Sequence, residues 1–227
     1  MGVCVRADGT SRTFRCAWML NELDVSFEWK KVNYQKGETR TPEFLAVNPR
    51  GKIPALQDGD DFAIAESAAI NTYLGDKFAM FVPSSGTKER GTYDMWCFFL
   101  VSELDAASLT IYGRHDYYAA INGEAPAALE AAKKYLQKQV AVVVDELRTK
   151  EYILGAFTAV DILLTTILRW AKRIEWLPDD EDSKSVLDAY LERNYARPAF
   201  IKTLAVTDTA PKQPPPKKPK TADSDDA

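Results

Sequence analysis

The sequence predicts a chain of two parts, in which an α/β unit with a small mixed sheet is followed by an all-helical unit. Three patterns support this fold class: a strand–helix–strand pattern at the start, two short apolar runs around an acidic turn, and long segments of helical periodicity in the second half. We place the α/β unit at residues 1–80, a linker at 81–90, the helical unit at 91–206 and a tail at 207–227.

The first three elements are predicted to form a βαβ unit. The strand "VCVRA" leads through the turn-rich "DGTS" into "RTFRCAWMLNEL", where Cys16, Met19, Leu20 and Leu23 share one helical face. "FEWKKVNY" follows and is rich in residues that strands favour. Because a helix connects the two strands, we expect them to be parallel. We expect Cys16 to be a core residue because it lies on the apolar face.

A hairpin and a further helix complete the first unit. The runs "IPALQ" and "FAIA" flank "DGDD", an acidic turn containing glycine that suits an antiparallel hairpin. "ESAAINTYLGDKF" then places Ile70, Tyr73 and Leu74 at helical spacing. A parallel pair joined to a hairpin makes a small mixed sheet.

The second half shows helical periodicity throughout. "LEAAKKYLQKQVAVVVDEL" and "AVDILLTTILRWAKRI" are long and periodic, which predicts a helical bundle. "VPSSGTKERG" clusters Pro, Ser and Gly before these segments, as is typical of a linker. The tail holds five of the chain's 12 prolines and, from residue 211 onward, no aromatic or branched aliphatic residue. We expect a solvated segment, and a nuclear-localisation or anionic-surface patch is the alternative.

Composition argues against several classes of protein. The formal charge of -4 does not support a general nucleic-acid binder. Three cysteines and one histidine match neither a disulfide framework nor a zinc cluster, so we expect a reducing compartment and no metal. The N-terminus lacks the apolar core of a secretion signal, and no uninterrupted apolar run approaches the roughly 20 residues that span a bilayer. We therefore expect a cytoplasmic protein without a membrane or nucleic-acid partner.

The stretch "NPRGKIPAL" places Pro54 where a strand begins. Proline has no N–H to donate, so it is tolerated only at the start or the edge of a strand. The backbone of Ile53 is then free to pair with an extended peptide ligand. We expect the Ile53–Pro54 bond to be cis, which turns this backbone outward, and an ordinary trans proline is the alternative.

Two predicted helix starts carry polar groups suited to binding a ligand. Glu66 and Ser67 open a helix whose free N–H groups and dipole favour a bound carboxylate, although simple capping by Ser67 explains the pattern as well. Thr10, Ser11 and Thr13 open the first helix. One of these hydroxyls, with Ser11 as the first choice, is positioned to hydrogen-bond a ligand thiolate, and capping is again the alternative.

In this order, on a βαβ–ββα pattern followed by a helical bundle, these features resemble the glutathione transferase superfamily, with its thioredoxin-like N-terminal half. The resemblance covers residues 3–206 and rests on five segments: "SRTFRCAWMLNEL", "NPRGKIPAL", the later "ES", the helix-capping "FTAVD", and "RPAF". The first of these is similar to the first helix of bacterial-type and related serine-centred classes. It implies an enzyme that conjugates the thiolate of glutathione with small hydrophobic electrophiles, or uses it to reduce a peroxide.

The resemblance also assigns residues to glutathione, the co-substrate: Arg40, Lys52, Ile53, Pro54, Glu66 and Ser67. The backbone of Ile53 would pair with the cysteinyl part, and Glu66 and Ser67 would hold the γ-glutamyl end. Lys52, and secondarily Arg40, would contact the glycyl carboxylate.

Ser11 is the catalytic residue that the resemblance implies, with Thr10 and Thr13 as alternatives for the same role. The residues expected to line the acceptor site are Thr10, Tyr112, Arg114, Tyr117, Tyr118 and Trp170. An aromatic cluster such as "YGRHDYY" is also explained by packing. The resemblance implies a homodimer in which the N-terminal half of one subunit faces the helical half of the other.

A non-catalytic scaffold is the alternative function. The gamma subunit of elongation factor one carries a Lys/Pro-rich extension after its transferase-like domain, and the tail of this chain is similar. The hydroxyl at Ser11 and the intact "IPAL" and "ES" favour the enzyme.

Overall fold

The computed structural model describes residues 2–7, 11–34 and 36–207, and of Ser11 it describes the backbone. The chain begins with β1 (Val3–Ala7), α1 (Ser11–Glu22) and β2 (Phe27–Lys31). β1 and β2 are parallel, with Val3 opposite Phe27, so the predicted βαβ unit is confirmed. The tail from residue 208 lies outside the described residues.

The rest of the first half completes a four-stranded sheet. Its elements are a 3₁₀ turn (Glu38–Arg40), α2 (Pro42–Val47), β3 (Ala55–Asp58), β4 (Phe62–Ala65) and α3 (Ser67–Phe78). β3 is antiparallel to both β1 and β4, and the strand order is β2-β1-β3-β4. This is the mixed sheet that the sequence predicts.

The second half is helical, as predicted. Its elements are α4 (Lys88–Phe99), a π-helical segment (Leu100–Leu109), α5 (Thr110–Tyr112), a second π-helical segment (Gly113–Tyr117), α6 (Ala119–Asn122), α7 (Pro126–Leu147), α8 (Ala159–Arg173), α9 (Glu181–Tyr195) and α10 (Pro198–Thr207). The capping box at the start of α8 is formed by Thr158 and Asp161, as "FTAVD" predicts.

The start of α4 lies within the predicted linker at 81–90. Thr87 caps α4 by accepting a hydrogen bond from the Arg90 backbone N–H at 3.1 Å, so the helix begins at Lys88. The start of the segment is docked as well, because the Phe81 carbonyl accepts from the Ala159 N–H at 2.9 Å. Contacts with the second half therefore hold this segment in place.

α1 packs against the helical half as well as against α3. It contacts α8 and α10, and the Trp18 and Phe200 rings meet edge to face at 4.9 Å. Cys16 is fully buried, as its place on the apolar face predicts. The two halves thus share one core, and the N-terminal end of α1 lies where they meet.

The helical run Lys88–Tyr117 is long and apolar enough to cross a membrane by length and composition, and it is the one such run in the described part of the chain. It packs against α7 and α8 and buries Tyr93, Trp96 and Leu100. One face of this run therefore packs in the core of the helical half, while Met95 and Phe98 are exposed.

Candidate active site

The loop before β3 is held by the buried side chain of Asn48. Its amide Nδ2 donates to the Lys52 carbonyl at 2.6 Å, and its Oδ1 accepts from the Arg50 N–H at 3.2 Å. Gly51 has a φ of +61°, and a Cβ there would lie 2.9 Å from the Thr39 carbonyl oxygen. Glycine is therefore required for the loop to close in this way.

The Ile53–Pro54 peptide bond is cis, which confirms the prediction. β3 begins at Ala55, just after this bond, so Ile53 stands outside the ladder. No other described residue hydrogen-bonds the backbone of Ile53. Its side chain packs against the small apolar cluster of Val32, Phe44 and Ala55, which anchors the residue while its N–H and C=O stay available.

The start of α3 lies beside this loop. Ala55 pairs with Ala65, so Ile53, two residues before Ala55, and Ser67, two residues after Ala65, lie at the same end of the hairpin. Ser67 is 6% exposed and is the first residue of α3. The first N–H groups of a helix have no intrahelical partner, and the dipole there favours an anion.

Glu66 precedes α3 in a strained conformation. Its φ of 71° is uncommon for a residue other than glycine, and such strain is often found at functional sites. Its carboxylate is exposed and lies 3.1 Å from Arg50. An exposed ion pair of this kind contributes little to stability, so the carboxylate is free to exchange partners.

Two of the predicted cations, Arg40 and Lys52, lie at the loop before β3. Arg40 approaches Gly51 so closely that a Cβ there would lie 2.8 Å from Arg40 Nη1. Lys52 Nζ lies 5.7 Å from the centroid of the Tyr34 ring, within cation–π range. The loop thus presents positive charge next to the Ile53 backbone.

A buried ion cluster between the two halves was not predicted from the sequence. It consists of Arg12 and Arg15 on α1 and Asp105 on the first π-helical segment. Arg15 Nη2 lies 2.8 Å from Asp105 Oδ2, and Arg12 contacts both carboxylate oxygens. Burial alone would raise the pKa of Asp105, but the two guanidinium groups outweigh it and lower that pKa. The carboxylate is therefore ionised at neutral pH. The signal available in the sequence was Asp105 next to Leu104 and Ala106 in "LVSELDAASL", but this segment also contains Glu103, so the pattern alone does not single out Asp105.

π-Helical winding places Asp105 and Thr110 on one face. The Thr110 N–H donates to the Asp105 carbonyl five residues earlier. In an α-helix, side chains five residues apart point roughly 140° away from each other, whereas i→i+5 bonding brings them nearly into line. Arg12 Nη2 uses this alignment, because it donates to Thr110 Oγ1 at 2.9 Å as well as to Asp105.

Trp170 is the predicted acceptor-site residue that contacts the start of α1. Its ring centroid lies 5.6 Å from the Arg12 guanidinium carbon, and Gly113 is close to its edge. Tyr112 packs on Trp176, with ring centroids 5.4 Å apart, and burial together with a hydrogen bond to Asp116 raises the pKa of Tyr112 to about 12.

The remaining predicted residues divide into two groups. Arg114 is exposed, and the Tyr117 and Tyr118 rings pack on each other at 4.8 Å. Thr10 and the side chain of Ser11 lie outside the described residues, so the structure places only the Ser11 backbone, at the first position of α1.

The chain's own cysteines are poorly suited to act as nucleophiles. Burial raises the pKa of Cys97 to about 12, and it raises the pKa of Cys4 and of Cys16. Since the thiolate is the reactive form, these raised pKa values make the three thiols less reactive at neutral pH than an unperturbed cysteine. In the part of the chain that the structure describes, no group of three or more His, Cys, Asp or Glu side chains is arranged to hold a metal ion.

Three comparisons bear on the identity of the chain. Residues 11–77 match the family model described as glutathione S-transferase, N-terminal domain. Glutathione S-transferase 3 of Zea mays is 31% identical over 220 residues, which cover 89% of this chain and 91% of the maize protein. A glutathione transferase of Phanerochaete chrysosporium, solved in complex with oxidized glutathione, is 25% identical with a TM-score of 0.79 over 92% of this chain and 97% of its own. A family member from Pseudomonas fluorescens, solved with two glutathione bound, is also 25% identical, with a TM-score of 0.78 over 89% of this chain and 92% of its own.

Proposed function

The chain belongs to the glutathione S-transferase superfamily, and from this premise we propose that it transfers the thiolate of glutathione to small hydrophobic electrophiles. One observation carries the proposal: the unpaired Ile53 backbone and the start of α3 lie at the same end of the β3–β4 hairpin. A tripeptide laid along this end meets a backbone partner in its middle and a helix N-terminus at one end.

Each part of glutathione then has a partner of matching chemistry. The N–H and C=O of Ile53 pair with the cysteinyl residue in extended conformation. Ser67 and the N–H groups of α3 hold the γ-glutamyl carboxylate, while Glu66 accepts from the ammonium group. Lys52 and Arg40 supply positive charge for the glycyl carboxylate at the other end.

The cysteinyl thiol is directed to the N-terminal end of α1, where Ser11 is the proposed catalytic residue. A thiol titrates near pH 8.5, so lowering its pKa to roughly 6.5 requires about 2.7 kcal/mol of preferential thiolate stabilisation. One hydrogen bond from Ser11 to the charged sulfur, of about 1.5–3 kcal/mol, and a helix-end effect of about 0.3–1 kcal/mol suffice. Arg12 adds a positive charge at the same end of the helix.

The electrophile is proposed to bind between α1 and the helical half, next to Trp170. The indole ring and Tyr112 offer apolar surface, which suits an apolar acceptor. In a conjugation, the sulfur–carbon bond forms as the leaving group departs from the electrophilic carbon. In a peroxide reduction, two glutathione thiols are oxidised to the disulfide while the peroxide is reduced to an alcohol and water.

The active form is proposed to be a cytoplasmic homodimer. Met95 and Phe98, three residues apart on α4, expose 56% and 75% of their surface, and Phe62 and Met80 are exposed on the first half. Pairing the first half of one subunit with α4 of the other would cover both sets. Light scattering is expected to give twice the chain mass of 25.4 kDa, and a monomer that retains full activity would refute the dimer.

A transferase-like scaffold is the second candidate, because of the Lys/Pro-rich tail. Retention on immobilised glutathione followed by an assay with a chloronitrobenzene acceptor separates the two functions. We expect retention and conjugation. Retention without turnover favours the scaffold, and failure to be retained overturns both the proposed site and the proposed function.

A pair of variants connects retention to the site. Ser67→Leu places a bulky side chain at the start of α3 and is expected to abolish retention. Ser85→Leu, on an exposed loop, is the matched control and is expected to behave as the wild type. Equal retention of the two variants would show that glutathione binds elsewhere.

A further inference from the structure

The guanidinium group of Arg12 is fixed on one side and free on the other. Its Nε and Nη2 both donate to the Asp105 carboxylate, and Nη2 also donates to Thr110 Oγ1 at 2.9 Å. Nη1 donates no hydrogen bond to any other residue in the part of the chain that the structure describes. Because the side chain is 39% exposed, this third nitrogen is a charged donor that a ligand can reach.

The free nitrogen belongs to a side chain that borders the proposed acceptor site. Arg12 directly follows Ser11, the proposed catalytic residue, and its guanidinium carbon lies 5.6 Å from the centroid of the Trp170 ring. The second π-helical segment borders the same ring, since a Cβ at Gly113 would lie 3.7 Å from its edge. An aromatic acceptor that packs beside the indole therefore lies next to a positively charged donor.

Two carboxylates border this site, and each is engaged by another side chain. Both oxygens of Asp105 accept from the other nitrogens of Arg12, and Asp116 accepts from the Tyr112 hydroxyl. Arg173 lies near enough to Tyr112 for its positive charge to oppose the rise of the Tyr112 pKa. An anionic group on a ligand would thus meet Nη1 without displacing either carboxylate, and a second positive charge lies on the same side.

We propose that Arg12 makes the acceptor site selective for aromatic electrophiles that carry a carboxylate. The ring packs beside Trp170, and the carboxylate accepts from Nη1 in a charge-assisted hydrogen bond, which is stronger than a neutral one. The inference rests on the proposed function and narrows its substrate class. The carboxylate serves for binding only: the sulfur–carbon bond still forms as the leaving group departs with its bonding electron pair.

The test uses two glutathione conjugates as ligands in calorimetry. S-(4-carboxy-2,6-dinitrophenyl)glutathione carries the carboxylate, and S-(4-carbamoyl-2,6-dinitrophenyl)glutathione carries a neutral amide of similar shape in its place. Both are thioethers, so any effect of Arg12 on the ionisation of a thiol does not enter the comparison. We expect the wild type to bind the carboxylate conjugate about fivefold more tightly, which is about 1 kcal/mol and the upper end for a partly exposed ion pair.

Arg12→Met removes the donor while Asp105 keeps its partner Arg15. We expect the preference for the carboxylate conjugate to fall below about 1.5-fold in this variant. The corresponding acceptors, 4-chloro-3,5-dinitrobenzoate and its amide, give a second readout. After correction for the uncatalysed rates, kcat/KM is expected to lose the same preference.

Arg169→Met is the matched control because it removes the same charge from the neighbourhood of Trp170. Arg169 precedes Trp170 on α8, but its guanidinium carbon lies 5.4 Å from the Phe14 ring centroid and 5.8 Å from that of Phe200. We expect this variant to keep the preference of the wild type. An equal loss in Arg169→Met would indicate a general effect of net charge and would overturn the assignment to Arg12.

The remaining outcomes are distinguishable as well. Equal binding of the two conjugates by the wild type, or a preference that survives Arg12→Met, overturns the inference while the proposed function stands. A wild-type protein that binds neither the conjugates nor glutathione overturns the proposed function itself. If Arg12→Met fails to fold, Thr110→Val serves instead: it removes one contact that holds the guanidinium group and is expected to reduce the preference to about twofold, and an unchanged preference refutes the inference.

Discussion

Asp161 makes the stability of this protein depend on pH in a direction opposite to that of most carboxylates. Its side chain is fully buried and accepts hydrogen bonds from the Thr158 N–H at 2.9 Å, the Ile153 N–H at 3.2 Å and the Tyr190 hydroxyl at 3.0 Å. Burial raises the pKa of this carboxyl from 3.8 to about 6, and the hydrogen bonds only partly oppose that effect. The native state therefore binds the Asp161 proton more tightly than the unfolded state does.

The sign and size of the effect follow from proton linkage. Between the unfolded and folded pKa values the native state holds more protons, so the free energy of unfolding falls as pH rises through this window. With pKa values of 3.8 and about 6, the contribution of Asp161 decreases by about 2 kcal/mol between pH 4.5 and pH 7.5. Most of this loss occurs below pH 6.5, where the native carboxyl finishes ionising.

Asp161→Asn removes the titration and keeps the shape of the side chain. We expect urea unfolding at fixed protein concentration to show a wild-type advantage over Asp161→Asn that is about 2 kcal/mol larger at pH 4.5 than at pH 7.5. Asp60→Asn, on the exposed β3–β4 turn, is the control and should give no such difference. An advantage that is independent of pH, or that grows as pH rises, would refute the reasoning.

Two other substitutions test packing and chemistry. Gly75→Ala would place a Cβ 2.2 Å from Val82 Cγ2 and 2.9 Å from the Met80 carbonyl oxygen, so we expect the free energy of unfolding in urea to fall by about 1–3 kcal/mol. Gly91→Ala, with open space around it, is the control and should raise that free energy by up to about 1 kcal/mol. Equal effects of the two substitutions would contradict the close contact at Gly75. Ser11→Ala should raise the apparent pKa of bound glutathione in the pH–rate profile with little change in affinity, and an unchanged profile would remove Ser11 from the mechanism.

The pattern of the fold was predictable because its signals are local. Strand-favouring runs, a turn rich in Asp and Gly, and apolar residues at helical spacing lie within a few residues of one another in "VCVRA", "DGDD" and "RTFRCAWMLNEL". The Thr158–Asp161 capping box spans four residues, and the cis bond at Pro54 concerns a single dipeptide. Each of these features depends on neighbours along the chain, so the sequence displays its cause.

The residue at which α4 begins could not be predicted from composition, because composition does not show where a helix begins. "GTKERG" is rich in residues typical of loops, yet Thr87 caps α4 and the helix starts inside this segment. The hydrogen bond between the Phe81 carbonyl and the Ala159 N–H joins residues 78 positions apart in the sequence, and no local pattern predicts it.

The buried ion cluster was decided by tertiary structure alone. Arg12 and Arg15 both stand in the first turns of α1, and the sequence does not indicate which of the two faces solvent. Arg15 is buried and Arg12 is partly exposed where Asp105, some 90 residues later, meets both of them across the junction of the two halves, and π-helical winding aligns Asp105 with Thr110. The sequence determined the order of the elements and the loop that presents the Ile53 backbone, since these depend on short-range propensity. The positive charge of Arg15 lies next to Ser67 because packing brings α1 and α3 together, and only the folded chain shows this contact.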